Sequence, residues 1–169
     1  MHMQIDDRES DVAGLLDRLV SAELPERRGL DAWASLLQAH ATLMRRLESD
    51  LEEETGLALA DFDVLAQLAR AGGELRMMEL AARALISRSG MTRRVARLVQ
   101  EGLVQRADAD ADGRGVVVAL TDAGVARLAE TAPAHARGIS KLFVAQLDDQ
   151  ELAILERALG NVIIDCSFG

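Results

Sequence analysis

Seven arginines (Arg76, Arg83, Arg88, Arg93, Arg94, Arg97 and Arg106) fall between positions 76 and 106, against two acids, Glu79 and Glu101. Guanidinium groups pair bidentately with carboxylates and phosphates, and in a DNA major groove they pair with guanine O6 and N7. What these arginines can do depends on how they are spaced. In LISRSGMTRRVARLVQEGL (85–103), Ser87 stands where an N-cap belongs, its hydroxyl able to accept from backbone N–H groups two or three residues on. At the helical turn of 100° per residue, Met91, Val95, Leu98 and Val99 share one face, the spacing of a core stripe. Ser89, Gly90, Arg93, Ala96, Arg97 and Gln100 share the other, with Arg88 and Thr92 in the first turns. Gly90 and Ala96 are small enough to let such a helix come close to base edges, and Gly102 supplies a stop. The following segment, VQRADADADGRGVVVALTDAG (104–124), reads as a two-stranded hairpin tipped by Arg114, then a helix start capped by Thr121. A helix offering arginines outward and a basic-tipped β-ribbon directly after it suit a major groove and a flanking minor groove. That is the layout of a winged helix-turn-helix. An ordinary solvated helix face would explain neither the one-sided charge nor the adjoining hairpin.

Other elements must position these residues, and the rest of the chain reads as mainly helical. Residues 1–30 are expected to be an extension, partly disordered, with a short helix over 11–24 (Val12, Leu15, Leu16, Leu19, Val20) stopped by Pro25. Trp33, Leu36, Leu37, His40, Leu43, Met44, Leu47 and Leu51 recur at three- and four-residue steps, predicting a long helix from Leu30 to about Glu54, ended by Gly56. A helix over 61–71 is stopped by Gly72-Gly73. Leu75 marks a minimal strand, and 78–84 the first helix of the turn motif. After the hairpin, the Thr121-capped helix is expected to be interrupted or restarted at Pro133 and to run to about Leu147. Asp148 with Glu151 forms a capping-box pattern opening a last helix (Leu152, Leu155, Leu159, Val162, Ile163). The fold class is thus mainly α with a small β-hairpin wing: residues 57–120 form the winged helix-turn-helix, and 31–56 with 121–168 a helical dimerisation region. The terminal helices are more apolar than a monomer surface needs. A twofold dimer would match a pseudo-palindromic operator on double-stranded DNA.

Composition narrows the function classes. The chain has 169 residues, 49% of them apolar, enough for one substantial core, and a formal net charge of −9. A basic patch within an acidic body still binds DNA, with the salt dependence of counterion release, while the acidic remainder disfavours promiscuous binding. Cys166 is the sole cysteine, which excludes an internal disulfide and suits a reducing cytoplasm. No apolar run approaches the roughly 20 residues of a membrane span, and no secretory pattern opens the chain. His2, His40 and His135 are scattered, so neither a metal nor any other cofactor is expected. There is no phosphate loop, nucleophile elbow or HExxH pattern, which argues against an enzyme.

Three segments carry a family resemblance: FDVLAQLARAGGELRMMELA (62–81), LISRSGMTRRVARLVQEGLVQR (85–106) and DGRGVVVALTDAG (112–124). From about Trp33 to Val162 the chain resembles the multiple-antibiotic-resistance regulator (MarR) family. The Asp-x-Arg wing element followed by LT-x-x-G is the most specific signature. The resemblance implies a homodimeric repressor joined through its terminal helices, with reading helices in successive major grooves. It also implies release by a small, often phenolic or anionic, molecule bound between the dimerisation and DNA-reading parts. By matching position, Ser87, Arg88, Ser89, Thr92, Arg93 and Arg97 become groove or phosphate contacts, Asp112 the wing brace and Arg114 the minor-groove finger. Arg94 and Gln100 complete the expected DNA-contact set. Two departures stand out. Met78 occupies a place where the family often has a serine cap. The wing also surrounds its arginine with Asp108, Asp110 and Asp112. Either those carboxylates weaken the wing's hold on DNA, or Asp112 positions Arg114 while the other two face solvent.

For the small-molecule effector, Trp33, His40 and Met44 lie along one stretch of the long helix, and Met77 is placed at the border of the same cleft. An aromatic wall, a titratable donor and adaptable methionines suit an aromatic carboxylate. The same residues at core spacing are also ordinary packing residues. Two other readings remain. Cys166 could sense oxidants, although neighbouring Asp165 disfavours the thiolate this requires. A non-specific architectural DNA binder would be basic throughout, unlike this chain.

Overall fold

The computed structural model describes Leu15 and residues 27–84, 87–108 and 115–168. Of the helix expected over 11–24 only Leu15, which is helical, is included. Asp110, Asp112 and Arg114 at the hairpin tip lie outside the described residues. The chain divides into two compact units, Met1–Met44 and Arg45–Gly169. Helix α1 (Arg27–Thr55) supplies nearly all that is described of the first unit and opens the second. Within the first unit Trp33, Leu36, Leu37 and Met44 are exposed.

The second unit builds its core around helix α2 (Leu59–Arg70). Val64, Leu65 and Leu68 of α2 are fully buried, as the three- and four-residue apolar spacing requires. Gly72 and Gly73 take φ of 88° and 107°, and the Gly73 N–H donates to the Leu68 carbonyl at 2.8 Å, closing the helix end. Strand β1 (Glu74–Arg76) and helix α3 (Met77–Arg83) follow directly. No side chain caps α3 at Arg76, and Met78, expected at the cap, instead lies inside the helix. Helix α4 (Arg88–Gln100) buries Met91, Val95 and Leu98 completely, while Val99 sits at the rim of the stripe and is exposed. Gly102, at φ 73°, turns the chain into β2 (Val104–Asp108).

Strand β2 pairs antiparallel with β3 (Val116–Leu120), Val104 opposite Leu120 and Asp108 opposite Val116. The expected two-stranded ribbon is in fact three-stranded. Strand β1 adds to the other edge of β3, with Leu75 opposite Val118, and both side chains are buried. The wing is therefore anchored in the core rather than hanging from it.

Helix α5 (Asp122–Leu142) starts at Thr121, whose hydroxyl accepts from the Gly124 N–H at 3.0 Å and donates to the Gly102 carbonyl at 2.7 Å. Pro133 was expected to break this helix, yet it stays inside. Its missing N–H costs one helical bond. On either side of it Thr131 and Ala134 are buried, and the Thr131 hydroxyl bonds the Arg127 carbonyl at 2.7 Å, so packing carries the helix across. The helix ends at Leu142, earlier than expected. The Gln146 side-chain amide donates to the Lys141 carbonyl at 3.2 Å, and a 3₁₀ turn (Val144–Gln146) intervenes. Helix α6 (Asp149–Phe168) opens with the capping box in place: Asp148 Oδ1 accepts from the Gln150 and Glu151 N–H groups at 2.8 Å, and Glu151 Oε2 from the Asp148 N–H at 2.9 Å.

One close approach ties α5 to the turn after α4. A Cβ placed on Gly124 would lie 2.0 Å from the Leu103 carbonyl oxygen, a backbone atom that cannot step aside. Gly138 has a milder constraint, since its Cβ would meet only Leu47 Cδ2, at 2.8 Å. We therefore expect Gly124→Ala to lower stability by about 3 kcal/mol. For Gly138→Ala, movement of the Leu47 side chain and a helix-propensity gain of up to about 1 kcal/mol should leave stability close to wild type. Urea denaturation of the two variants tests this; equal midpoints would contradict the close approach.

Candidate nucleic-acid interface

The site begins with the cap of α4. Ser87 is extended (φ −59°, ψ 148°), and its Oγ accepts from the Gly90 N–H at 3.2 Å, with Ser89 Oγ 3.4 Å away. The cap fixes where the helix starts, and hence which residues face outward. Ser89, Thr92, Arg93, Arg97 and Gln100 are exposed on the side away from buried Met91, Val95 and Leu98, and Ser87 and Arg88 are exposed at the helix start. Thr92 donates its hydroxyl hydrogen to the Arg88 carbonyl at 3.0 Å, so toward a partner it presents an acceptor oxygen and a methyl group. Gly90 and Ala96 leave the helix surface low between these side chains. This is the face the sequence predicted, and its helix N-terminus also favours a phosphate.

Two arginines of the expected set are held differently. Arg94 is half-buried and donates from Nη1 to Asp61 Oδ1 at 2.7 Å, while Arg97 donates from Nη2 to Asp61 Oδ2. Asp61 lies in the first turn of α2 and is only 3% exposed. A carboxylate buried this deeply needs cationic partners, and each of its oxygens has one. Arg97 also approaches a second carboxylate, with Nε 3.9 Å from Glu101 Oε1. Arg88 and Arg93 form no ion pair with a described residue. Sequence reasoning overlooked Asp61, though a signal was present: it falls in register with Val64, Leu65 and Leu68, an acid on an apolar stripe.

The residues expected to meet an effector are spread over both units. Trp33, 58% exposed, and His40 and Met44, also exposed, belong to the first unit; Met77, in the second, is buried at the start of α3. A cavity of about 520 Å³ within the second unit is lined by other residues, among them Arg46, Asp50, Glu54, His135, Arg137 and Lys141. Arg137 pairs with Glu54 across it, and Arg46 lies 3.6 Å from Asp50. His135 packs its ring against Phe62 with centroids 4.5 Å apart, and its Nδ1 is buried without a hydrogen-bond partner among the described residues. Cys166 falls in α6, with its side chain outside what is described. No cluster of His, Cys, Asp and Glu suited to a metal occurs among the described residues, and no helix there is long and apolar enough to cross a membrane.

Burial pushes the His135 pKa below its ordinary value; Asp63 pulls it up and Arg70 adds to the lowering. The folded state thus binds this proton less readily than the unfolded chain. The penalty is absent well above the unfolded histidine pKa of about 6.5 and grows as the pH falls from there toward the lower folded value. Replacing His135 with Asn should remove that part of the stability loss as the pH falls below about 6.5. Denaturation midpoints across the range, parallel for wild type and variant, would disprove it. On the interface itself, Arg93→Ala should weaken binding to a specific site by about 1–3 kcal/mol relative to random duplex if Arg93 reads a base. Equal loss on every sequence would make it a phosphate contact instead.

The comparisons with known proteins agree with this geometry. A family model described as MarR family matches residues 55–115, which run from the end of α1 to the start of β3. A Bacillus cereus protein described as an uncharacterized HTH-type transcriptional regulator is 30% identical over 117 residues, covering 69% of this chain and 77% of its own length. Among solved structures, AbsC, a MarR family transcriptional regulator from Streptomyces coelicolor, superposes with a TM-score of 0.76 at 26% identity, over 85% of this chain and 97% of its own. Sco3205, a MarR family transcriptional regulator of the same organism solved in complex with DNA, gives a TM-score of 0.73 at 30% identity, over 84% and 87% of the two chains.

Proposed function

The chain belongs to the MarR family of DNA-binding transcriptional regulators, and from there we propose that it is a cytoplasmic homodimeric repressor that binds a pseudo-palindromic operator and is released by a small molecule. The single observation that carries the operator reading is α4, a capped helix with its apolar stripe fully buried and Ser87, Arg88, Ser89, Thr92, Arg93 and Gln100 turned outward. Each protomer lays this face in a major groove. By family resemblance we assign Asp112 and Arg114, which lie outside the described residues, to the neighbouring minor groove. Arg93 and Arg88, free of ion pairs to described residues, are the arginines best placed to pair with guanine.

Dimerisation is supported by apolar side chains that each unit leaves uncovered. Leu36 and Leu37 are exposed in the first unit, and Ile154, Val162 and Ile164 of α6 are more than half exposed in the second. A twofold partner covering both sets would place two reading helices about one DNA turn apart, roughly 34 Å. An effector acts by favouring a dimer whose reading helices no longer match that spacing. We assign its contacts to Trp33, His40 and Met44, an aromatic surface with a titratable donor. The α1–α5 cavity supports a second reading, in which an anion meets Arg46, Arg137 and Lys141.

A gel-shift titration against the DNA upstream of the gene, with excess random duplex, tests the operator. The expected result is a discrete complex that weakens steeply with salt and carries two protomers by sedimentation. Silence there, and against a random-sequence selection pool, would defeat the repressor reading. With a releasing compound in hand, Trp33→Ala should abolish release while leaving DNA binding intact. Release lost only in Arg137→Ala would move the effector to the cavity.

A further inference from the structure

The DNA-facing helix carries an internal anion that DNA binding alone does not call for. Asp61 arrives from α2, 33 and 36 residues before the two arginines it binds. It meets them edge to edge, one guanidinium per carboxylate oxygen. Arg94 and Arg97 are three residues apart and so lie on neighbouring turns of one α4 face. Arg97 is half exposed on the outward side, where a phosphate could otherwise reach it. Yet its Nη2 is bonded to Asp61, and Glu101 stands near its Nε. Within one helix, then, Arg88 and Arg93 carry no ion pair to a described residue while Arg94 and Arg97 are taken up within the protein.

We propose that Asp61 is an internal counter-anion that withholds Arg94 and Arg97 from DNA phosphates and so limits how strongly α4 binds duplex of any sequence. This rests on α4 being the DNA-reading helix. Phosphate contacts are sequence-independent, so each one adds to random and operator binding alike. A guanidinium already bonded to a buried carboxylate must give up a charge-assisted hydrogen bond before it can make such a contact. Asp61 is a positioning residue in this scheme: it touches no DNA, and it acts through the two arginines.

The salt dependence of binding to random duplex reads this directly, because each phosphate contact contributes about 0.9 to the slope of log K against log salt. Asp61→Asn should steepen that slope by about 0.9 for each arginine it frees, about 1.8 if both reach phosphate, and raise random-duplex affinity. A purely structural role would leave the slope unchanged and lower affinity along with stability, and that result would overturn the proposal. Should Asp61→Asn fail to fold, two surface variants decide the matter. Arg97→Gln should change the slope by less than about 0.3, and Arg93→Gln should reduce it by about 0.9 or, as a base contact, weaken operator binding. An Arg97→Gln slope loss as large as one full contact would show that Arg97 does reach phosphate and sink the counter-anion. If Arg93→Gln moves neither the slope nor operator affinity, α4 is not the reading helix, and both readings fall together.

Discussion

The arrangement of the DNA-facing elements depends on a few ångströms of backbone where α4 ends and α5 begins. Gly102 reverses the chain, Leu103 turns its carbonyl toward Thr121 and Gly124, and the first turn of α5 comes down on that oxygen so closely that position 124 has no room for a side chain. Thr121 closes the junction from both sides, capping α5 and bonding the Gly102 carbonyl. The Thr121 N–H donates to the Leu103 carbonyl at 3.2 Å, and the Leu103 N–H to Leu98 at 2.9 Å. The end of α4, the end of β3 and the first turn of α5 are thus held by one set of local contacts. The LT-x-x-G element in the sequence is the trace of this junction: threonine for the double hydrogen bond, glycine for the contact.

Much of this was legible in the sequence because it depends on neighbours close along the chain. Ser87 caps a helix three residues on, glycines at 56, 72, 73 and 102 take positive φ, and Asp148 with Glu151 closes a box within four residues. Apolar periodicity located the core face of α4 for the same reason. What was not legible required knowing which segments meet. The third strand exists because β1 finds β3 more than forty residues later. Asp61 stands out as an acid on the apolar stripe of α2, but its partners Arg94 and Arg97 emerge only when α2 and α4 are packed together. Helix-breaking rules applied to Pro133 overlooked that Thr131 and Ala134 pack on both sides of it. The cavity lined by His135 and Arg137 depends on α5 lying beside the carboxy-terminal part of α1, which no local pattern reveals.

Electrostatics then gives a reason for a buried carboxylate of α2 to hold arginines of α4. The protein has a net charge of −9, so its long-range field opposes DNA, but salt confines that field to about 8–10 Å under ordinary conditions. Attraction must therefore come from short-range contacts on one face. If every arginine of that face were free for phosphate, the sequence-independent share of binding would grow with each of them, and any stretch of the genome would compete with the operator. On the proposed reading, tying two of the four α4 arginines to Asp61 reduces that share and leaves Ser87, Ser89, Thr92, Arg93 and Gln100 as the groups available to discriminate among bases. Asp61 also fixes α4 against α2 through both oxygens. The carboxylate proposed to limit indiscriminate attraction is thus also a structural tie between the two helices.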